Sequence, residues 1–359
     1  MMEDDLYWYW FCGLEKTGIR TRHRLLKVFG SAKEIFEASE AMLENLAWMK
    51  KEMIEEMSAS KNIDALKRSY DLYYKKKFRF IHIFSPEYPK RLKNIYEYPI
   101  GLYVKGKLPD DRQPTAAIVG ARYCTVQGRG RSAHMAKVLA KHGVQVISGM
   151  ALGIDGSAHR GALEAKGYTC AVLGSGIDVC YPKENWGIYE KLSECGGCIS
   201  EYPPGTKPLP WRFPMRNRII AGLSDAVVIV EARQKSGALI TADYALEQGK
   251  DVFVIPGRPE DALSRGCNDL IKAGAGLVED PWELMKMMGI KVDKNKKNNI
   301  LLDKSEKLVY SSLCLIPKNI EDICSELQMD MNEAFLVLNT LEKRGLVRQV
   351  HKNQYVLDC

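Results

Sequence analysis

The chain has 359 residues and a net charge of +7, with 46% hydrophobic and 27% charged residues, which is typical of a globular protein of two or three domains. It contains no apolar run near the roughly 18 residues needed to cross a bilayer, and its acidic start, Met-Met-Glu-Asp-Asp, is unlike a secretory signal. We therefore expect a cytoplasmic protein that does not associate with a membrane.

The mildly basic balance permits a polyanionic partner without requiring one. Ten cysteines are scattered along the chain, and they form a single CxxC, Cys195 to Cys198. Because no second pair lies at zinc spacing, we expect reduced thiols, no metal site and no cofactor.

Residues 1–75 are predicted to be a small helical domain. Ser31 can cap a helix over 32–38, with Glu34 completing a capping box. The basic segment 18–24 precedes it. Small helical domains of this kind bind nucleic acid through backbone amides at helix starts or serve as protein-interaction modules, and the sequence leaves both roles open.

Residues 76–113 are predicted to be an extended connector that joins the core. The segment 78–84 alternates like a strand, and four prolines then punctuate the chain.

Residues 114–288 alternate short apolar runs with segments of 3.6-residue periodicity. This pattern predicts a parallel, doubly wound α/β sheet, in which ligands bind beyond the carboxyl ends of the strands. The predicted strands are 116–119, 144–147, 170–173, 198–200, 226–230 and 252–255, and the clearest helices are 130–141, 156–165 and 238–248.

Glycine-rich loops follow these strands, at 120–122, 148–155, 174–178, 231–237 and 256–257. Several such loops converging on one edge would make a phosphate-sized cradle of backbone N–H groups.

A dinucleotide site does not fit, since the loop after the first strand lacks the second glycine of GxGxxG and no P-loop is present. Asp155 and His159 lie four residues apart and could hold a metal. The alternative, which we favour, is that Asp155 caps a helix and His159 bonds within the fold.

The densest polar cluster is in residues 213–223, which read FPMRNRIIAGL. Pro214 indicates a helix start, so Arg216, Asn217 and Arg218 are expected near its first turn, with Phe213 just outside. Guanidinium groups at a helix N-terminus would bind phosphate, and the ring would stack on a base. The alternative is that both arginines are structural and paired with carboxylates.

Residues 289–304 are predicted to be a basic linker, and 305–359 read helix, helix, helix and hairpin, the order of a winged helix. Residues 301–359 hold seven lysines and arginines against nine aspartates and glutamates, a net charge of −2. This acidity favours a partner-binding or regulatory role over the reading of duplex DNA.

Several of these motifs together resemble the DNA-processing protein A family, also called DprA or Smf. They are SGMALGIDGSAH at 148–159, AVLGSGID at 171–178, the 213–223 stretch, SGALIT at 236–241, and Pro256-Gly257 followed by GCNDLI at 266–271. The resemblance spans about 78–280. It implies a Rossmann-like core, a sterile-alpha-motif-like N-terminal domain and an optional C-terminal winged helix.

The resemblance also implies a function: binding of single-stranded DNA and loading of the recombinase RecA in natural transformation and recombination. It implies a homodimer formed through the Rossmann-like domain, and a protein that is not an enzyme. The residues expected to contact the strand are Arg122, Ser148, Gly149, Arg212, Phe213, Arg216, Asn217, Arg218, Ser236 and Gly237. Ala121 stands where the family often has serine, which removes one hydroxyl donor.

A competing reading is a nucleotide or phosphosugar hydrolase on the same Rossmann-like fold. Such enzymes carry a Pro-Gly-Gly-x-Gly-Thr-x-x-Glu motif, and the comparable stretch at 236–243 lacks its glycine pattern. A third reading is a pure interaction scaffold, in which Arg216 and Arg218 would be exposed or held in salt bridges.

Overall fold

The computed structural model describes residues 3–291, 302–314 and 316–357. Most of the predicted linker at 289–304 therefore lies outside the described residues. Among the described helices, none combines the length and apolarity that a bilayer span requires.

A nine-stranded sheet forms the centre of the molecule. Its strands are β1 (Phe78–His82), β2 (Gly101–Gly106), β3 (Thr115–Val119), β4 (Gln145–Ser148), β5 (Thr169–Leu173), β6 (Gly197–Ser200), β7 (Ala226–Ile229), β8 (Asp251–Val254) and β9 (Gly276–Leu277). Their spatial order is β1-β2-β6-β5-β4-β3-β7-β8-β9, and all neighbours from β6 to β9 are parallel. The predicted α/β fold with a mostly parallel sheet is confirmed.

The direction of winding reverses between β3 and β7. From β3 the chain first builds outward through β4, β5 and β6, and then returns to the other side of β3 to add β7, β8 and β9. A reversal of this kind leaves a crevice at the carboxyl ends of the two strands that flank it.

The expected connector contributes to the sheet itself. β1 and β2 pair with each other in antiparallel fashion, and β2 also pairs antiparallel with β6. Prolines around β2 concealed this strand in the sequence, because they are typical of irregular chain.

Helices cover both faces of the sheet. Seven of them belong to the core: α7 (Val126–Lys141), α8 (Ile154–Glu164), α9 (Trp186–Cys195), α10 (Arg212–Leu223), α11 (Gly237–Glu247), α12 (Ala262–Lys272) and α13 (Pro281–Met287). Alternate residues of β3 point to the two faces: Ala116 and Ile118 pack with α7 and α8, whereas Ala117 and Val119 pack with α10 and α11.

The N-terminal helices share the second of these hydrophobic layers. They are α1 (Glu3–Gly13), α2 (Ile19–Phe29), α3 (Ala32–Glu37), α4 (Glu40–Glu44), α5 (Lys51–Ala59) and α6 (Ile63–Lys75). Phe11 and Leu25 belong to the same buried cluster as Ile219 of α10. Ser31 caps α3 as predicted, since its hydroxyl accepts from the N–H of Glu34.

The C-terminal segment folds around its own core. It contains α14 (Lys304–Ser312), β10 (Lys318–Asn319), α15 (Ile320–Leu327), α16 (Met331–Lys343), β11 (Val347–His351) and β12 (Gln354–Leu357), with sheet order β10-β12-β11. Asp330 caps α16 by accepting from the N–H groups of Asn332 and Glu333.

Candidate functional site

A cavity of about 510 Å³ opens at the reversal between β3 and β7. Its walls come from the loops after β3, β4 and β7 and from the starts of α10 and α11. The polar or aromatic residues that line it are Arg122, Tyr123, Asp155, Phe213, Arg216, Asn217, Arg233, Ser236 and Thr241.

The loop that carries Arg122 is fixed on both sides. The N–H of Ala121 donates to the carbonyl of Glu231, 2.7 Å away, and the carboxylate of Glu231 accepts from the N–H and hydroxyl of Thr125. Gly153, at φ +75°, lets the backbone before α8 approach the carbonyls of Ala121 and Arg122, where a Cβ would lie 2.4 Å from oxygen. The backbone at Arg122 is therefore fixed, while its side chain is exposed.

Arg122 and Phe213 form one side of the cavity. The guanidinium lies 5.1 Å from the centre of the Phe213 ring, and the Tyr181 ring lies 5.5 Å beyond that ring at 34°. Arg122 is exposed and makes no ion pair with any residue in the described ranges. This side offers a free cation beside an aromatic surface.

The start of α11 forms the opposite side. Ser236 is its N-cap residue, but its hydroxyl makes no side-chain cap, and the buried Oγ has no partner among the described residues. Asn217 holds this helix start in place by donating to the carbonyl of Gly237 at 3.1 Å. The free N–H groups and the helix dipole favour an anion here.

Arg216 lines the cavity but is buried. Its guanidinium donates to the carbonyls of Gly149 and Val172 and, at 3.1 Å, to the amide oxygen of Asn217. Burial lowers the pKa of Arg216 to about 10, while the nearby Asp155 carboxylate opposes that shift.

The sequence suggested that Asp155 caps α8, but it does not, because Gly153 occupies the N-cap position. Its carboxylate instead accepts from the N–H groups of Gly149 and Ala151, at 3.1 and 3.4 Å. Burial raises the pKa of Asp155, and the charge of Arg216 works against this effect. A Cβ on Gly149 would lie 2.7 Å from both side chains, so these two groups fit only around a glycine.

Arg218 points away from the cavity. It is 2% exposed and pairs with Glu201 at 2.7 Å, and it also donates to the carbonyls of Glu97 and Met215. For this arginine the structure favours the alternative interpretation of a structural pair. The helix also begins earlier than expected, at Arg212, so Arg216 and Arg218 lie in its second turn rather than its first.

The cavity brings together six of the ten predicted site residues and not the other four. Ser148 is buried and donates to the carbonyl of Ile118, Gly149 presents its carbonyl to Arg216, and Arg218 is paired with Glu201. Arg212 lies over the rings of Trp211 and Tyr202, beside a second cavity. The six that line the first cavity are Arg122, Phe213, Arg216, Asn217, Ser236 and Gly237.

Two exposed lining residues are absent from the site predicted from the sequence. Arg233 follows β7 within the 231–237 loop and is exposed at the cavity, and Tyr123, next to Arg122, is 83% exposed. The position of Arg233 just beyond a parallel strand was a usable signal. Tyr123 carried none, because an exposed tyrosine in a loop is common.

His159 bonds within the fold, as favoured above. It is fully buried, and its Nδ1 lies 2.7 Å from the hydroxyl of Thr169. Burial lowers the pKa of His159 to about 3, and the charges of Arg216 and Arg160 add to this shift. Among the described residues no three His, Cys, Asp or Glu side chains are grouped as metal ligands.

Comparison with known families gives one match over most of the core. A family model described as DNA recombination-mediator protein A matches residues 79–289. The protein Smf of Synechocystis sp. is 35% identical over 305 residues, covering 83% of this chain and 76% of its own. The DNA processing protein DprA of Streptococcus pneumoniae is 43% identical over 209 residues, covering 58% and 74%.

Two solved structures that match this chain are also DNA processing A proteins. The crystal structure of DprA from Streptococcus pneumoniae matches with a TM-score of 0.68 at 33% identity, over 82% of this chain and 99% of that one. A Helicobacter pylori DNA processing protein A, described for its mode of binding single-stranded DNA, matches with a TM-score of 0.53 at 28% identity, over 59% and 95%.

Proposed function

Because the chain belongs to the DNA recombination-mediator protein A family, we propose that it binds single-stranded DNA in the cavity between β3 and β7. The observation that carries this proposal is that one cavity is lined by two exposed guanidinium groups, an uncapped helix start and an aromatic ring. These are Arg122 and Arg233, the start of α11, and Phe213. The Helicobacter pylori relative, whose structure was described for single-stranded DNA binding, supports the same assignment.

The chemistry of the cavity supports binding without sequence preference. Guanidinium groups and the N–H groups at Ser236 and Gly237 suit phosphate oxygens, which are the same at every nucleotide. Phe213 offers a face on which any base can stack. Ser148, Gly149, Arg216, Asn217 and Arg218 act in this proposal by holding the loops and α10 in place.

The only carboxylate that lines the cavity argues against the hydrolase alternative. Within the described lining this carboxylate is that of Asp155, and it already accepts hydrogen bonds from backbone N–H groups of the preceding loop. A carboxylate bound in this way is poorly placed to accept a proton from water. We therefore propose a binding protein rather than an enzyme.

We propose, further, that the bound strand is delivered to RecA in transformation and recombination, by a homodimer formed through the Rossmann-like core in the cytoplasm. The family resemblance supports these roles. The N-terminal helices would correspond to a sterile-alpha-motif-like domain, and the C-terminal unit to a winged helix. The acidity of 301–359 supports a protein partner for that unit rather than duplex DNA.

Replacement of Arg122 by alanine tests the site. We expect Arg122→Ala to weaken binding of an oligo-dT strand by roughly 1–3 kcal/mol, the usual loss for a charge-assisted contact. Arg112→Ala is the matched control, because Arg112 is exposed, lies before β3 at the opposite edge, and pairs with Asp110 at 2.8 Å. Fluorescence anisotropy would measure both, and an unchanged affinity in folded Arg122→Ala would contradict the proposal.

A further inference from the structure

A second cavity, of about 330 Å³, lies on the other side of the start of α10. The N-terminal helices form one wall, through residues 14–22 around the start of α2. The other wall comes from the core, through Tyr202, Trp211, Arg212 and Met215.

The start of α2 is uncapped. Gly18 is the N-cap residue and has no side chain to accept from the first N–H groups of the helix, and within the described ranges no side chain caps it. The first turn of the helix holds no acidic residue. Helix α2 runs for 11 residues. Its N-terminus therefore presents free donors and the positive end of the helix dipole to the cavity.

Buried side chains add further donors that lack partners. Thr17 is 0% exposed and Arg22 is 9% exposed, and both line the cavity. The Thr17 Oγ1 and the Nε atoms of Arg22 and Arg212 have no hydrogen-bond partner in the described part of the chain. Burying such groups unpaired costs free energy, so their arrangement around one cavity points to an acceptor that enters it.

The carboxylates beside the cavity are mostly engaged. Glu97 pairs with Arg20, and Glu201 pairs with Arg218 at 2.7 Å. Glu15 remains, exposed at the rim. Each of the unsatisfied groups inside can donate a hydrogen bond, and two of the three belong to guanidinium groups, which suits a phosphate oxygen better than a cation.

The rim carries an aromatic platform. Trp211 is 57% exposed, and the Arg212 guanidinium lies 4.9 Å from its ring and 5.1 Å from the ring of Tyr202. An exposed indole beside a guanidinium is a surface on which a nucleobase can stack.

We propose that this second cavity is a subsite for the same DNA strand, which takes a backbone phosphate at the start of α2 and stacks a base on Trp211. The inference rests on the proposed strand binding. It is supported by the chain order at the start of α10: Pro210 and Phe213 line the first cavity, and the intervening Trp211 and Arg212 line the second. A strand that leaves the first cavity reaches the second around this one turn.

Substitution of Gly18 tests the subsite without disturbing the core. Gly18 has extended backbone angles, φ −66° and ψ 164°, and a Cβ there meets nothing within 4 Å. Gly18→Asp would cap α2 with a carboxylate that repels phosphate, whereas Gly18→Ala adds a side chain without charge. We expect Gly18→Asp to bind dT20, a single strand of about 20 thymidine nucleotides, about tenfold more weakly than Gly18→Ala does. The Tm of Gly18→Asp should be equal to or higher than that of Gly18→Ala.

Equal affinity of the two Gly18 variants for dT20 would overturn the subsite. Trp211→Ala provides an independent variant at an exposed position, and we expect it to lose about fivefold or more in affinity through stacking. The two proposals fail in different ways. If the wild-type chain does not bind dT20, strand binding itself is refuted. If the wild type binds dT20 and Gly18→Asp binds it equally well, only the subsite in the second cavity is refuted.

Free nucleotide is the other source of a phosphate, and a titration with dTMP distinguishes it. If Gly18→Asp abolishes dTMP binding but leaves dT20 affinity unchanged, the cavity takes mononucleotides and the strand subsite is wrong. If Gly18→Asp loses affinity for dT20 and the wild type does not bind dTMP, the second cavity is a subsite for the strand.

Discussion

Three arginines that were expected to contact the strand lie in different surroundings. Arg122 is exposed over the Phe213 ring, Arg216 is buried against backbone carbonyls, and Arg218 is buried in an ion pair with Glu201. The family resemblance implied that all three contact the strand, and the sequence alone left open the alternative that Arg216 and Arg218 are structural, because a sequence does not give burial. An arginine that donates to carbonyls or pairs with a carboxylate has few donors left for a strand.

Removal of Arg218 is expected to affect folding rather than binding. Arg218→Met leaves the Glu201 carboxylate buried without its partner, and we expect a loss of about 3–5 kcal/mol in the free energy of unfolding. The double variant Arg218→Met with Glu201→Leu should recover most of that loss, because it removes both charges. Urea unfolding would measure each, with Arg122→Met as the exposed control; a stability within about 1 kcal/mol of wild type for Arg218→Met alone would contradict this role.

At the level of elements, α8 connects the site to the sheet. Asp155 in its first turn holds the loop after β4, and His159 one turn later bonds to Thr169 of β5. This helix is packed between α7 and the strands, so the Asp155 carboxylate and the Nδ1 of His159 are held by buried bonds. Protonation of His159 would place a charge in this buried layer, where the charges that act on it in the described part of the chain are those of Arg216 and Arg160.

The stability of the protein should therefore fall in mild acid. The pKa of His159 is lowered to about 3 in the folded chain, whereas an unfolded histidine titrates near 6.5. Below about pH 6.5 the unfolded state binds a proton that the folded state does not, so stability is lost as the pH falls toward 3, by up to about 1.4 kcal/mol per unit.

Chemical unfolding at pH 7 and pH 5 checks this prediction against His159→Asn, whose amide can replace the bond to Thr169. We expect the wild type to lose up to about 2 kcal/mol more than the variant between these values. Identical pH dependence in the two proteins would show that His159 is not the responsible group.

The elements best predicted from sequence are those with clear periodicity and caps. The predicted strands at 116–119, 170–173 and 252–255 each match an observed strand within one residue at each end, and α3 begins at Ala32, directly after its predicted cap Ser31. The start of α10 was misplaced, because Pro214 fits a first turn at either of two positions and Trp211 makes no side-chain cap. Strand β2, which lies between β1 and β6, was missed because prolines flank it.

For the whole molecule, the topology explains why distant residues meet. Arg122 and Ser236 are far apart in sequence, yet β3 and β7 are neighbours and bring their following loops together. Phe213 joins them because α10, whose first turn carries it, packs in the same layer as α11. The sequence predicted a parallel sheet with polar loops at one edge. It could not fix the strand order, and so it could not separate the loops that line the cavity from Ser148, which lies beneath the surface.

The central claim, sequence-independent binding of single strands, is tested most directly by the affinity of the full chain for dT20 and for a matching duplex across a salt series. Each phosphate contact lowers the slope of log affinity against log salt by about 0.7 for a single strand, so Arg122 and Arg233 together predict a slope of about −1.4 or steeper. We expect tight, salt-sensitive binding of dT20 and much weaker binding of the duplex. Equal affinity for both, or no binding of dT20 at low salt, would contradict the account.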